Sequence, residues 1–150
     1  MPGPSPSAST WGALPLLIDT SAFARAHHPR VREQWRDALH SDRLRLSPIA
    51  RLEILLSARN GTTFAELAEE LAVLRTAPLT AATARAAEDA MRTLAERSAG
   101  THRIPIVDYL LAATAQELGA AVIHYDRDYD TLAQTLAFQS IWLAPAGSLA

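Results

Sequence analysis

The 150-residue chain has no cysteine, and all 14 of its basic residues are arginine, with no lysine anywhere. The first absence removes disulfides, thiolate metal sites and cysteine nucleophiles together; it fits an intracellular chain, so a cytoplasmic protein is expected. The second makes Schiff-base enzymes, Walker-type phosphate loops and lysine-dependent receiver domains poor candidates. No apolar run approaches the roughly 18 residues of a membrane span, so no membrane association is expected. The formal charge of only −2 argues against broad, charge-driven binding to nucleic acid. A nucleic-acid substrate would have to be gripped locally, by an arginine patch beside a cation-filled acidic pocket, a task that the planar guanidinium suits. The histidines His27, His28, His40, His102 and His124 show no His-x-x-x-His spacing for a helical metal site.

What is present reads as one globular domain, since 49% of the residues are hydrophobic and the length suits a single core. Residues 1–13, "MPGPSPSASTWGA", are rich in Pro, Ser and Gly and lack the apolar core of a signal peptide. They are expected to be a disordered lead, with the domain spanning 14–150. "LPLLI" has the continuous apolar character of a buried parallel strand, and "SAFARAHH" after it predicts two turns of helix. A helix over "VREQWRDALHS" and a short strand at "RLRLS" follow. "SPIARLEILLSARNG" predicts a helix with Ser47 as cap, Pro48 at the first position and Asn60-Gly61 as the stop. Two alanine- and leucine-rich helices then separate at Pro78, so that roughly 62–100 is expected to be a helical arm without a strand. "IPIVDYLLAATAQELG" predicts a helix ending at Gly119, "AAVIHY" a strand, "DRDYDTLAQTLA" a helix and "AFQSIWL" a last strand. Strands alternate with helices and no hairpin dipeptide joins them, which predicts an α/β fold with a mostly parallel sheet of four or five short strands.

Of the 16 acids, Glu66, Glu69, Glu70, Glu88, Asp89 and Glu96 follow the spacing of solvated helix faces. Four positions do not. Asp19 and Asp126 each stand at the carboxyl end of an apolar strand, where open parallel sheets place their ligands, although either could merely cap the helix that follows. Glu53 has Ile49 four residues before it and Leu56 three after, which places its carboxylate on an apolar helix face. An unpaired carboxylate there requires a partner, either an arginine such as Arg51 or Arg59 or a metal. Asp108 falls in a helix first turn, where the dipole favours it, and Leu111, Ala112 and Ala115 extend the same face as a small apolar wall. Carboxylates without His or Cys suit Mg²⁺ or Mn²⁺, and clustered acids would repel one another without such an ion. In phosphodiester hydrolysis these ions activate water, so no protein nucleophile is required. "DRDYD" at 126–130 begins like a calcium loop, but Thr131 and Ala137 stand where that loop needs glycine and glutamate. Ser21, two residues after Asp19, also weakens a reading as an aspartyl-phosphate phosphatase. His124 reads as a satisfied core residue.

Four stretches in this order, "LLIDTSAFAR", "SPIARLEILLSAR", "HRIPIVDYLLAATAQELGAAVIHYDRDYDTLA" and "IWLAPAGS", resemble the PIN-domain endoribonucleases, and within them the VapC toxins of bacterial toxin–antitoxin pairs. The resemblance covers residues 14 to about 148. It implies a PIN-like three-layer α/β/α domain, Mg²⁺- or Mn²⁺-dependent cleavage of RNA, a homodimer, and inhibition by a cognate VapB-type antitoxin. By position, Asp19, Glu53, Asp108 and Asp126 match the family's acidic quartet, with Asp128 as the alternative to Asp126, and Thr20 and Ser21 as supporting groups. In this scheme Asp19, Asp108 and Asp126 hold the ion, while Glu53 holds a second ion or orients the attacking water. The competing expectation is a PIN-like binding module whose acidic pocket is structural and which acts only through a protein partner.

Overall fold

The computed structural model describes residues 10–149, and within them the chain alternates strands and helices as the patterning predicts. The first strand, β1 (Leu16–Ile18), is followed by α1 (Thr20–Phe23), α2 (Arg32–His40), β2 (Leu44–Leu46) and α3 (Pro48–Leu56). The middle comprises α4 (Gly61–Ala72), β3 (Arg75–Thr76) and α5 (Ala81–Arg97). The last third comprises α6 (Ile106–Leu118), β4 (Ala121–His124), α7 (Asp128–Leu132) and β5 (Gln139–Trp142). All strand pairs are parallel, in the order β3-β2-β1-β4-β5.

Side-chain alternation along the strands divides the core into two layers, because successive residues of a strand point to opposite faces. Leu17 and Val122 pack beneath α3, α5 and α6, joined by Leu46 at the last position of β2, which leaves the alternation where the chain turns into α3. Leu16, Ile18, Leu44, Ala121, Ile123 and Ile141 pack on the other face with Ala38 of α2. The expected three-layer α/β/α arrangement results. No helix among the described residues is long and apolar enough to cross a membrane.

Several local expectations are corrected. The helix after β1 closes after one turn, not two. Asn60-Gly61 starts a helix rather than stopping one: α3 ends at Leu56, and the Asn60 side chain accepts from Thr63 N in a reciprocal capping box for α4. The stretch 62–100 does contain a strand, since Arg75–Thr76 pairs with β2, though its two residues are exposed and too few to give an alternation signal. The expected disorder at 1–9 lies outside the described residues, whereas Trp11 is buried, donates Nε1–H to Leu143 O at 3.2 Å and packs edge-on against Trp35. The ordered domain therefore begins before residue 14. Ser47 does cap α3 through Ile49 N, and Gly119 does end α6 in the left-handed conformation that glycine tolerates.

Candidate metal centre

The strand order reverses at β1: the chain runs outward through β2 and β3 on one side, then returns to lay β4 and β5 on the other. Open parallel sheets carry their binding crevice at the carboxyl ends of the strands beside such a reversal, and Asp19 and Asp126 stand there. Asp19 adopts extended backbone immediately after β1 and donates its N–H to Ile123 O at 3.0 Å. Its Oδ2 accepts from Ser21 N at 3.0 Å and also from Ser21 Oγ. The same Ser21 hydroxyl accepts from Tyr125 N at 2.9 Å, tying the end of β1 to the end of β4. Asp19 is thus a helix cap whose carboxylate stands at the crevice, buried to 5% exposure.

Asp126 is fixed from both sides of its backbone. Its N–H donates to His124 Nδ1 at 3.1 Å, and its Oδ1 accepts from Asp128 N at 2.9 Å, which turns the chain into α7. Asp108 comes from the opposite direction, in the first turn of α6, and is 7% exposed. One carboxylate oxygen from each of Asp108, Asp126 and Asp128 lies within 4.8 Å of the others. Asp126 and its alternative Asp128 both bring an oxygen within this distance of Asp108. Tyr129 completes the group: its hydroxyl donates to Asp19 Oδ1 at 2.6 Å and lies 3.2 Å from Asp108 Oδ1.

Burial and the neighbouring charges of Asp19 and Asp126 push the Asp108 carboxyl up to about 7; the bond from Tyr129 opposes the rise and Asp128 adds to it. The Asp128 carboxyl is raised too, by burial and by Asp126, with Arg127 pulling the other way. Burial and the adjacent acids hold the Tyr129 phenol far above its ordinary value, so it stays a proton donor. The second oxygen of Asp108 is buried without a hydrogen-bond partner. Such an oxygen, on a residue clustered with other acids and with no histidine or cysteine among the donors, fits a hard divalent cation, which would neutralise the group and give the free oxygen a partner.

The other expected residues divide. Ser21 supports Asp19, but the Thr20 hydroxyl is buried with no hydrogen-bond partner and so bonds to none of the acids. Glu53 is half-buried and pairs with neither Arg51 nor Arg59. The core face of α3 is Ala50, Ile54 and Leu55, whereas Leu56, which marked the apolar face around Glu53, is 85% exposed. Glu53 therefore sits at the rim of an open apolar groove of about 650 Å³ lined by Ile49, Leu52, Leu56, Phe64 and Val107, and the expectation of a buried carboxylate is corrected. His124 is the core residue it was expected to be, and more. Because Nδ1 accepts from Asp126 N, the ring proton is on Nε2, which meets Ser140 Oγ at 2.7 Å; that hydroxyl then donates to Asp130 Oδ1 at 2.8 Å. Burial lowers the His124 pKa to about 4, against the pull of Asp130, Asp19 and Asp126, so the ring is neutral. Sequence reasoning missed Tyr129; its one local signal is a place three residues after Asp126, within the turn that Asp126 opens.

A family model described as the PIN domain matches residues 16–134. Among curated proteins the chain is similar to Ribonuclease VapC18 of Mycobacterium tuberculosis (strain ATCC 25618 / H37Rv), 38% identical over 135 residues covering 89% of this chain and 98% of that protein. It is also similar to Ribonuclease VapC51 of the same strain, 35% identical over 137 residues, or 91% and 98% of the two chains. Among solved structures, DNA-bound VapBC from Salmonella typhimurium aligns with a TM-score of 0.71 at 15% identity, covering 88% of this chain and 100% of that one. VapBC-5 from Mycobacterium tuberculosis aligns at 0.63 with 24% identity, covering 85% and 98%. The structural likenesses establish a shared fold.

Proposed function

The chain belongs to the PIN-domain family, among the VapC ribonucleases, and on that premise we propose that it is the toxin of a type II toxin–antitoxin pair, an endoribonuclease that cleaves RNA with the help of Mg²⁺ or Mn²⁺. The observation that carries this reading is Asp108, which has one buried oxygen without a hydrogen-bond partner and brings a carboxylate oxygen within 4.8 Å of Asp126 and Asp128 at a strand-end crevice. Asp19, Asp108 and Asp126 would hold the ion, with Asp128 within reach of the same cluster and the Tyr129 hydroxyl joining Asp19 to Asp108. When bound, the cation supplies a Lewis acid that makes water acidic enough to attack a phosphodiester at neutral pH and offsets charge on the phosphoryl oxygens.

The chain's own residues do the rest. Ser21 and Tyr129 fix the Asp19 carboxylate, and His124 fixes the backbone of Asp126. Glu53, carried by α3 against both α1 and α6, is the residue we assign to orienting the attacking water or holding a second ion. The exposed apolar groove around Glu53, with Leu52, Leu56 and Phe64, supports a protein partner beside the site, which suits a VapB-type antitoxin, and a homodimer completes the assembly we propose. An exposed apolar patch of this kind marks an interaction surface.

Purified protein incubated with RNA and Mg²⁺ or Mn²⁺ tests the reading. Cleavage is expected, with chelator abolishing it and Asp19→Asn reducing it to background while the circular dichroism spectrum is retained. Undiminished cleavage by a folded Asp19→Asn protein overturns the assignment. Failure of the native chain to bind Mn²⁺ or cleave any RNA favours a binding module that acts through its partner alone.

A further inference from the structure

The Tyr129 hydroxyl reaches two acids that have no hydrogen bond to each other and arrive from distant parts of the chain. It meets Asp19 Oδ1 at 2.6 Å, at the end of β1, and Asp108 Oδ1 at 3.2 Å, at the start of α6. The ring is fully buried and stacks on His124 with centroids 4.7 Å apart and planes at 28°. His124 cannot rotate away, because both of its ring nitrogens are engaged, by Asp126 N on one side and by the Ser140 hydroxyl on the other, which in turn is bonded to Asp130. The hydroxyl is therefore mounted on a rigid post that runs back to edge strand β5.

The geometry points to Tyr129 as a positioning residue of the cation site: its hydroxyl engages one oxygen each of Asp19 and Asp108 and thereby turns their remaining lone pairs toward the ion. The proposal rests on the reading of these acids as cation ligands. Each carboxylate oxygen has two lone-pair directions. Ser21 takes both on Asp19 Oδ2 and Tyr129 takes one on Oδ1, which leaves one free. On Asp108, Tyr129 engages Oδ1, and Oδ2 is the buried oxygen with no partner. A neutral donor is the chemistry this post requires. An arginine or lysine would neutralise the acids and compete with the ion, and a phenylalanine would fill the space without orienting either carboxylate. Hydrogen bonds of this outer kind orient metal ligands, and their loss costs about 10–100-fold in metal affinity.

The test is Mn²⁺ affinity of the full chain, measured by titration calorimetry for the native protein, Tyr129→Phe and Asp126→Asn, alongside the melting temperature of each in chelator. Tyr129→Phe keeps the ring and its stack on His124, and its Mn²⁺ affinity is expected to fall about 10–100-fold at temperatures where the protein remains folded. A melting shift with Mn²⁺ affinity within twofold of native identifies a purely structural tyrosine and overturns the proposal, while loss of binding in Asp126→Asn in the same experiment leaves the site itself standing. No Mn²⁺ binding by the native chain overturns both. If Tyr129→Phe does not fold, the native chain decides through the buried, hydrogen-bonded Tyr129 hydroxyl proton, followed by NMR with ring-labelled tyrosine. This resonance is expected to shift on saturation with Mg²⁺, and an unmoved resonance overturns the proposal.

Discussion

Asp108→Asn separates the requirements of folding from those of cation binding, and the two should respond in opposite directions. In the metal-free protein the Asp108 carboxyl is raised from an ordinary 3.8 to about 7, first by burial and then by Asp19 and Asp126. Between those values the folded chain keeps a proton on Asp108 that the unfolded chain has released. Folding stability therefore falls as pH rises through that window, and above pH 7 the full cost of an ionised, buried Asp108 is present. The distance from 3.8 to about 7, at 1.36 kcal/mol per pH unit, sets a ceiling of about 4 kcal/mol. Screening by water at the mouth of the site leaves about 1–3 kcal/mol. The asparagine never ionises, can still accept from Tyr129, and turns an amide N–H₂ toward Asp126 and Asp128. In chelator at pH 7, Asp108→Asn is expected to melt about 3–10 °C above the native chain, taking 2–4 °C per kcal/mol for a domain of this size. The difference should shrink as pH falls toward 4. His124 contributes a dependence of the other sign, since its pKa falls from 6.5 to about 4 and its stabilisation is lost as pH falls through that range; being common to both proteins, it cancels in the comparison. Adding Mn²⁺ at 100 times its dissociation constant stabilises the native chain by about 2.7 kcal/mol and the variant by far less, so the gap should close or invert. Thermal scans between pH 4 and 8, with chelator and with Mn²⁺, are the assay. A variant less stable than native at pH 7 in chelator, or a difference that ignores pH, refutes the reasoning.

Two further outcomes follow from the packing and from the crowding of acids. Trp11→Ala removes a fully buried ring and its bond to Leu143 O, and should cost about 3–5 kcal/mol in urea denaturation; an unchanged midpoint would show that the ordered domain does not depend on residues before 14. Asp126→Asn and Asp128→Asn should each reduce RNA cleavage in single-turnover assays, since both carboxylates face Asp108; full activity in either removes that residue from the ligand set.

How much of this could be read from the sequence depended on whether the signal was local. The positions of Asp19 and Asp126 at strand ends were legible because two short apolar runs bounded by polar turns read as buried strands, and the carboxyl ends of such strands are where a parallel sheet opens. Trp11 was hidden by its neighbours: a single aromatic anchor among Pro, Ser and Gly leaves composition unchanged, yet one buried ring is enough to order the segment around it. Asn60-Gly61 was ambiguous by nature, because an asparagine that can end one helix can equally cap the next, and the reciprocal bond with Thr63 decides it. The face of α3 bearing Glu53 was misjudged because apolar spacing cannot distinguish a face turned to the core from one that lines an open groove. Tyr129 escaped for a different reason. A tyrosine in an apolar helix pattern reads as core, which it is, and only the three-dimensional meeting of β1, α6 and α7 shows what its hydroxyl touches.

The pairing of β1 with β4 sets a schedule for the molecule's own manufacture. Leu16 lies beside Ala121, about 100 positions later, so a chain leaving the ribosome carries Asp19 near its leading end long before anything exists to complete the cluster. The helices between can pack locally, but closing so long a loop comes late, and non-local pairing of this kind folds slowly. An interrupted or truncated product that stops short of β4 carries Asp19, Glu53 and Asp108 but neither Asp126 nor Asp128, and lacks the strand against which the crevice forms. The cluster can therefore assemble only once the last third has been translated, because α6, β4 and α7 bring three of its acids together.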